Sequence, residues 1–375
     1  MKLTKIQQQF SALLKAGLWG KEAEVSLFGA DTDWMELMMM AKRQACMGVV
    51  YDGVLTLPKE LQPARGIFLQ WSNIVALIEE NNDFLNEKLS EVFTLYRENG
   101  LYPILLKGQG VAQCYRNPLH RNCGDIDIYI GDADYEKANA LLRKEATGEH
   151  EENNRHIAIY WQGITVENHR LMTHLSAPSS HAFFVKALNE WYPKGARSLK
   201  VNEYEVTICP IEFDIIFVLI HSVLHFLNEG VGLRQVCDWT CMLRTYGQKM
   251  DKERFLYLLK GVGMLKAARA FGVVATEFLG LPSEDLPFML KKKDYELGEW
   301  FLQDVLEGGN FGCYYKDKKE RPKGYWANKW YTFERAFRRC WDFGRLAPAE
   351  ARWYPFYLAY ASAKMQIKFR LKGSK

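Results

Sequence analysis

Residues 121–132, RNCGDIDIYIGD, set Ile126, Ile128 and Ile130 in alternation with Asp125, Asp127 and Tyr129. Alternation with period two marks a strand with one apolar and one polar face. Side chains two apart on a strand share a face, so Asp125 and Asp127 point the same way, about 7 Å apart along the backbone. Two carboxylates that close repel each other and resist burial. A divalent cation removes the conflict, and an all-oxygen donor set suits Mg2+ or Mn2+, ions that also hold substrate phosphates. The alternative is an edge strand whose polar face is solvated, and the pattern alone leaves both open. Without an ion, repulsion predicts that neutralising Asp127 leaves the fold intact or slightly more stable.

The other closely spaced acids have a simpler reading. Asp31/Asp33 and Asp132/Asp134 precede helical patterns, where N-capping accounts for them, with Asp31 the expected cap of the first. Eighteen residues before Asp125, LYPILLKGQG (101–110) is a short apolar run closed by glycines, a buried strand and tight turn leading into a helix start. Backbone N–H groups at such a turn suit an anion. Gly108 permits close approach, Lys107 adds charge, and Gln109 and Arg121 are candidates to contact phosphate oxygens. The P-loop pattern GxxxxGK[ST] is absent. A third carboxylate follows in HIAIYWQGITVENHRL (156–171), two strands hinged at Gln162-Gly163. Thr165, Glu167 and His169 share one face of its second strand, so Glu167 completes a three-acid metal set or orients or deprotonates an attacking hydroxyl. Of His156, His169, His174 and His181, only His169 falls on that face by this reading.

Around this region the texture is helical. Residues 71–100 form a long amphipathic helix ending at Gly100. After Pro210, IEFDIIFVLIHSVLHFL (211–227) is apolar on nearly every side, which predicts a buried helix, and LRQVCDWTCMLRTYG (233–247) continues in the same manner. The expected fold is α+β: a helical N-terminal segment (1–98), a small mixed-sheet core (99–208) and a helical C-terminal domain (209–375) with a basic, aromatic tail. KDKKERPKG, near residue 320, reads as an exposed loop.

A chain of 375 residues with 48% hydrophobic and 25% charged residues can bury a sizeable core, so disorder is not expected. A net charge of +4 is compatible with nucleotides but does not itself call for nucleic acid. The eight cysteines include no CxxC pair, which favours reduced thiols and a cytoplasmic setting. The first 20 residues lack a secretory h-region, and no 18-residue apolar stretch for a membrane span is expected. His221 and His225, four apart, have zinc-ligand spacing but no evident third ligand, so a core or substrate-lining role is the alternative. Arg234 and Asp238, also four apart, suggest an intrahelical ion pair, with a nucleotide contact as the alternative. KMQIKFRLKGSK (364–375), near Trp and Tyr, is either a nucleic-acid contact or a solvated helix end.

A glycine turn and helix, an Asp-x-Asp strand and a third acid on a later strand resemble the nucleotidyltransferase superfamily with the DNA polymerase beta-like fold. More closely, the chain is similar to the bacterial family of uncharacterised nucleotidyltransferases. The likeness rests on Leu106-Lys107-Gly108, Arg121, Asp125-Ile126-Asp127, and Glu167 with His169, and continues into IHSVLHFL and LRQVCDWTCML. Gly108 is followed by Gln109 where the superfamily has Gly-Ser or Gly-Gly. The resemblance implies that Asp125, Asp127 and Glu167 hold Mg2+ or Mn2+. Lys107, Gly108, Gln109 and Arg121 would hold the phosphates of a nucleoside triphosphate, and His169, His221, His225 and Asp238 would line the cleft. It implies transfer of a nucleoside monophosphate to a hydroxyl acceptor, small or macromolecular, with release of pyrophosphate. A catalytically inactive, nucleotide-sensing or antitoxin-like member is the alternative.

Overall fold

The structure, a computed structural model, describes residues 2–149, 155–316 and 322–372, and their side chains except at 192–194 and 365–372. The chain opens with four helices: α1 (Lys5–Trp19), α2 (Trp34–Arg43), α3 (Met47–Leu55) and the 34-residue α4 (Arg65–Glu98), which gives way to Gly100 at φ +70°. Asp33, not Asp31, caps α2 by accepting from the Glu36 N–H, because Asp31 pairs with Lys5 instead. The sheet region runs β1 (Ile104–Leu106), α5 (Gly108–Ala112), β2 (Ile126–Tyr129), α6 (Tyr135–Arg143), β3 (Ala146–Glu149), β4 (His156–Trp161), β5 (Ile164–His169), α7 (Pro178–Gly195), β6 (Arg197–Val201) and β7 (Tyr204–Ile208). Helices complete the fold: α8 (Ile211–Asn228), α9 (Leu233–Tyr246), α10 (Lys252–Gly261), α11 (Leu265–Val273), α12 (Lys292–Gly308), α13 (Tyr325–Phe343) and α14 (Pro348–Lys372). The α+β class expected from the sequence is the one found.

Among the described residues the strands form one mixed sheet in the order β3-β4-β5-β2-β1-β7-β6. The back of this sheet is covered by α6 and by the second half of α4, whose Leu85, Leu89, Val92, Phe93 and Tyr96 bury against Ile126, Ile128, Val166 and Val206. Asn168 on β5 also faces this side. It accepts from the Tyr96 hydroxyl at 2.9 Å and donates to Asn139 at 2.9 Å, which satisfies an amide that would otherwise be a buried orphan. A second core joins the N-terminal helices to α8–α12, centred on the large apolar face of α8.

Helix α8 corrects the expectation that no 18-residue apolar stretch exists. Among the described residues it is the one helix long and apolar enough to cross a membrane, and most of it is buried against its neighbours. The anticipated loop at KDKKERPKG falls largely outside the described residues, as do the side chains of the C-terminal stretch from Met365.

The segment leading into β2 is held from two helices. Asn82 of α4 donates to the carbonyls of Leu119 (2.6 Å) and Arg121 (2.8 Å). His120 reaches Asp52 of α3 through Nδ1 (2.9 Å) and Glu79 of α4 through Nε2 (2.8 Å). Burial lowers the proton affinity of this imidazole, but the two carboxylates together outweigh it and raise its pKa above the ordinary histidine value. A group with a raised folded-state pKa stabilises below its unfolded pKa, and that stability is lost as pH rises through the folded value. Urea melts should therefore show His120 stabilising the chain at pH 6 and less so above its raised pKa. In His120→Gln this part of the pH dependence should vanish; an unchanged profile would assign the dependence to other groups.

Candidate active site

Strand register builds the site. β2 runs parallel to β5 with Asp127 beside Glu167, and antiparallel to β1 with Leu106 beside Asp127. Lys107, at the end of β1, therefore emerges next to Asp127. It takes φ +41°, a conformation that residues with a side chain avoid, and Gly108 follows at φ +50°. The β4–β5 hairpin turns on Gln162 (φ +46°) and Gly163 (φ +87°), the two-residue turn with both φ positive that matches strand twist. That turn places His156 opposite His169 and Ala158 opposite Glu167. Asp125, directly before β2, Asp127 and Glu167 bring carboxylate oxygens within 4.8 Å of one another.

Asp127 is fully buried. Its Oδ2 pairs with the Lys107 ammonium at 3.0 Å, while its Oδ1 accepts from His169 Nε2 at 3.0 Å. Burial opposes charge on Lys107 and His169, but the surrounding carboxylates outweigh it, and both are held above their ordinary pKa values. Burial would raise Glu167, yet His169 and Lys107 hold it below the usual carboxylate range. His156 is pushed down to about 3 by burial, with the His169 and Arg155 charges adding to it. The expected repulsion at Asp127 is thus already met by two cations, so the expectation that neutralising it leaves the fold as stable or more so is reversed. Three converging carboxylates form an all-oxygen donor set that fits a hard divalent cation.

All of these side chains except the enclosed Asp127 line one wall of a cavity of about 1310 Å3. Lys107, Gly108, Arg121, Asp125, Glu167 and His169 all border it, as do His221, His225 and Asp238 from α8 and α9. Gln109 does not: it is 2% exposed and its amide has no partner. Arg121 borders the cavity, but its guanidinium is committed to Asp238, Nε to Oδ1 and Nη2 to Oδ2, each at 2.7 Å. The anticipated Arg234–Asp238 pair therefore does not form, and Arg234 donates to the Asn122 carbonyl at 2.7 Å instead. Burial would raise the Asp238 carboxyl, but Arg121 holds it below the ordinary range. His221 stands 3.4 Å from Lys107 and in ring contact with His225, which pairs with Glu229. Among the described residues no third histidine, cysteine or carboxylate makes a metal set with both.

The opposite wall comes from the C-terminal helices. Arg339 of α13 donates to the Phe226 carbonyl at 2.8 and 3.0 Å, and Glu350 of α14 accepts the Ser176 and Ala177 N–H groups at 2.7 and 3.2 Å. These anchors set Trp326, Trp330, Phe333, Tyr354 and Tyr357 along the cavity, with Lys329 between them; Arg155 and Arg234 line it as well. Apart from Arg234, for which a nucleotide contact is the alternative to an ion pair, none of these is assigned to the site by the sequence. His156 corrects the reading that only His169 reaches the active face, and His174 also borders the cavity.

Comparison with curated proteins and with solved structures returned no match. A family model, however, matches residues 30–280, a span that takes in all three carboxylates, Lys107, Arg121 and helices α8 and α9. The chain therefore belongs to the family of uncharacterised nucleotidyltransferases.

Proposed function

We propose that this protein transfers a nucleoside monophosphate from a nucleoside triphosphate to a hydroxyl acceptor, using Mg2+ or Mn2+ held by Asp125, Asp127 and Glu167. The observation that carries the reading is the convergence of these carboxylates within 4.8 Å beside a cavity large enough for two ligands, with Asp125 and Glu167 on its wall and Asp127 buried directly behind them. A divalent cation bound there supplies charge neutralisation for triphosphate oxygens. Lys107, 3.0 Å from its Oδ2, orients Asp127. With Arg121 committed and Gln109 buried, the phosphate-facing role passes to Arg155, Arg234 and Lys329, which line the cavity. The aromatic side chains of α13 and α14 offer faces for a base or for the acceptor and exclude water. Glu167, on the cavity wall beside Asp125, positions the acceptor hydroxyl. The acceptor oxygen bonds to the α-phosphorus as its proton passes to solvent, the bond from the α-phosphorus to the α–β bridging oxygen breaks, and pyrophosphate leaves.

Triphosphates labelled separately at the α and γ positions, incubated with Mg2+ and a cell extract as acceptor pool, test this. The expected result is α-label on an acceptor and γ-label in pyrophosphate. Orthophosphate as the labelled γ product would make the protein a phosphohydrolase. Binding without turnover would favour a nucleotide-sensing member of the family.

A further inference from the structure

We propose that His156, Glu167 and His169 form a second cation site, one that takes a transition-metal ion of the Zn2+ class. It borders the carboxylate site and shares Glu167 with it, but it does not depend on nucleotide transfer. The hairpin turn at Gln162-Gly163 fixes its geometry, since it pairs His156 with His169 and puts both on the Glu167 face. His156 Nε2 and His169 Nε2 each stand 3.5 Å from Glu167 Oε2, and the three ligand atoms lie within 4.8 Å of one another. A well-formed N–H···O hydrogen bond would measure about 2.9 Å. Zn2+ bonds to imidazole nitrogen and carboxylate oxygen at about 2.0–2.2 Å, which sets tetrahedral neighbours about 3.4 Å apart. The two measured separations are therefore long for hydrogen bonds and match two edges of a tetrahedral ligand set; His169 Nε2 also donates to Asp127 Oδ1 at 3.0 Å, and an ion bound there replaces that proton.

The surroundings leave room for an ion. Ala158, opposite Glu167 across the hairpin, has only a methyl group, and it lines the same cavity as the three ligands. Three protein ligands with a fourth position toward a cavity is the pattern of a catalytic rather than a structural zinc site. The donor chemistry separates the two sites. Imidazole suits Zn2+ and its neighbours in the transition series, while the all-oxygen set of Asp125, Asp127 and Glu167 suits Mg2+. Because Glu167 belongs to both, filling one site changes the negative charge available to the other.

Co2+, a spectroscopic stand-in for Zn2+, can be titrated into the metal-free full chain. The expected result is one Co2+ per chain with the intense visible absorption of a four-coordinate ion, bleached by one equivalent of Zn2+. That absorption should be lost in His156→Gln and in His169→Gln, with circular dichroism reporting whether each variant is folded, and it should persist in Asp125→Asn. Absence of the band in wild type overturns the proposal even if one variant fails to fold. So does a band that survives both histidine substitutions, including one with thiolate character from an ion on cysteine. Should wild type show the band but no Mg2+-dependent nucleotide binding, the nucleotidyl-transfer reading fails and this one stands; the reverse result separates them the other way.

Discussion

Asp127→Asn is expected to lower nucleotidyl transfer by at least about 10²- to 10³-fold and to destabilise the metal-free chain by about 1–3 kcal/mol. The activity loss follows from removing an anionic oxygen from the cation, since metal charge stabilisation is worth several kcal/mol and each 1.36 kcal/mol is tenfold in rate. The stability loss follows from burial. Asp127 is fully enclosed between Lys107 and His169, and the amide would leave both cations short of their nearest counter-charge. Glu167 and Asp125 remain close enough to compensate in part, which keeps the loss below that of a fully broken buried pair. Asp125→Asn should behave differently. Asp125 is only half-buried, so its neutralisation should stay within about 0.5 kcal/mol of wild type while activity falls as for Asp127→Asn. Urea melts without metal, alongside the transfer assay, read both effects. An Asp127→Asn variant as stable as wild type would mean that Lys107 and His169 do not depend on it.

Asp238→Ala should produce the largest loss of stability, about 3–5 kcal/mol. The Arg121 guanidinium is 5% exposed and gives Asp238 two parallel 2.7 Å hydrogen bonds; the Tyr115 hydroxyl adds a third at 2.7 Å. Alanine would strand a buried guanidinium with the Asn122 carbonyl and the Cys123 thiol as its remaining partners. The segment from Arg121 to Asp125 would also lose its tie to α9, so nucleotide binding should weaken beyond what the stability loss explains. Arg121→Met combined with Asp238→Leu should recover much of the stability, because a buried pair is costly to break but replaceable by apolar groups of similar volume. Equilibrium denaturation of the single and double variants checks this. A single-variant loss under about 1 kcal/mol would show that the pair is solvated.

The parts of the site legible in the sequence are those set by local geometry. Strand parity puts Asp125 with Asp127, and Glu167 with His169. The glycine after Gln162 marks the hairpin, and a two-residue turn there pairs positions whose numbers sum to 325. That arithmetic places His156 opposite His169, a signal present in the sequence that the face assignment did not use. β6 and β7 also left a trace, with Leu199, Val201, Tyr204, Val206 and Ile208 alternating around an Asn202-Glu203 turn in which Asn202 takes φ +51°. By contrast, nothing local distinguishes an arginine that reaches a phosphate from one that reaches Asp238, 117 residues away. Nor does a KGQG turn show that the Gln109 side chain packs inward. The aromatic wall depends on where α13 and α14 dock, through contacts such as Arg339 to the Phe226 carbonyl, which no periodicity encodes.

The central claim is that the three carboxylates form a cation-dependent nucleotide site. Thermal melts of wild type and Asp125→Asn, with each nucleoside triphosphate in the presence and absence of Mg2+, test it most directly. A ligand at 100 times its Kd stabilises the folded state by about 2.7 kcal/mol, a shift such melts resolve. The account predicts that at least one triphosphate raises the wild-type melting temperature only with Mg2+ present, and that Asp125→Asn loses this shift while melting normally without ligand. Equal shifts in the two proteins, a shift independent of the cation, or no shift with any triphosphate would contradict it.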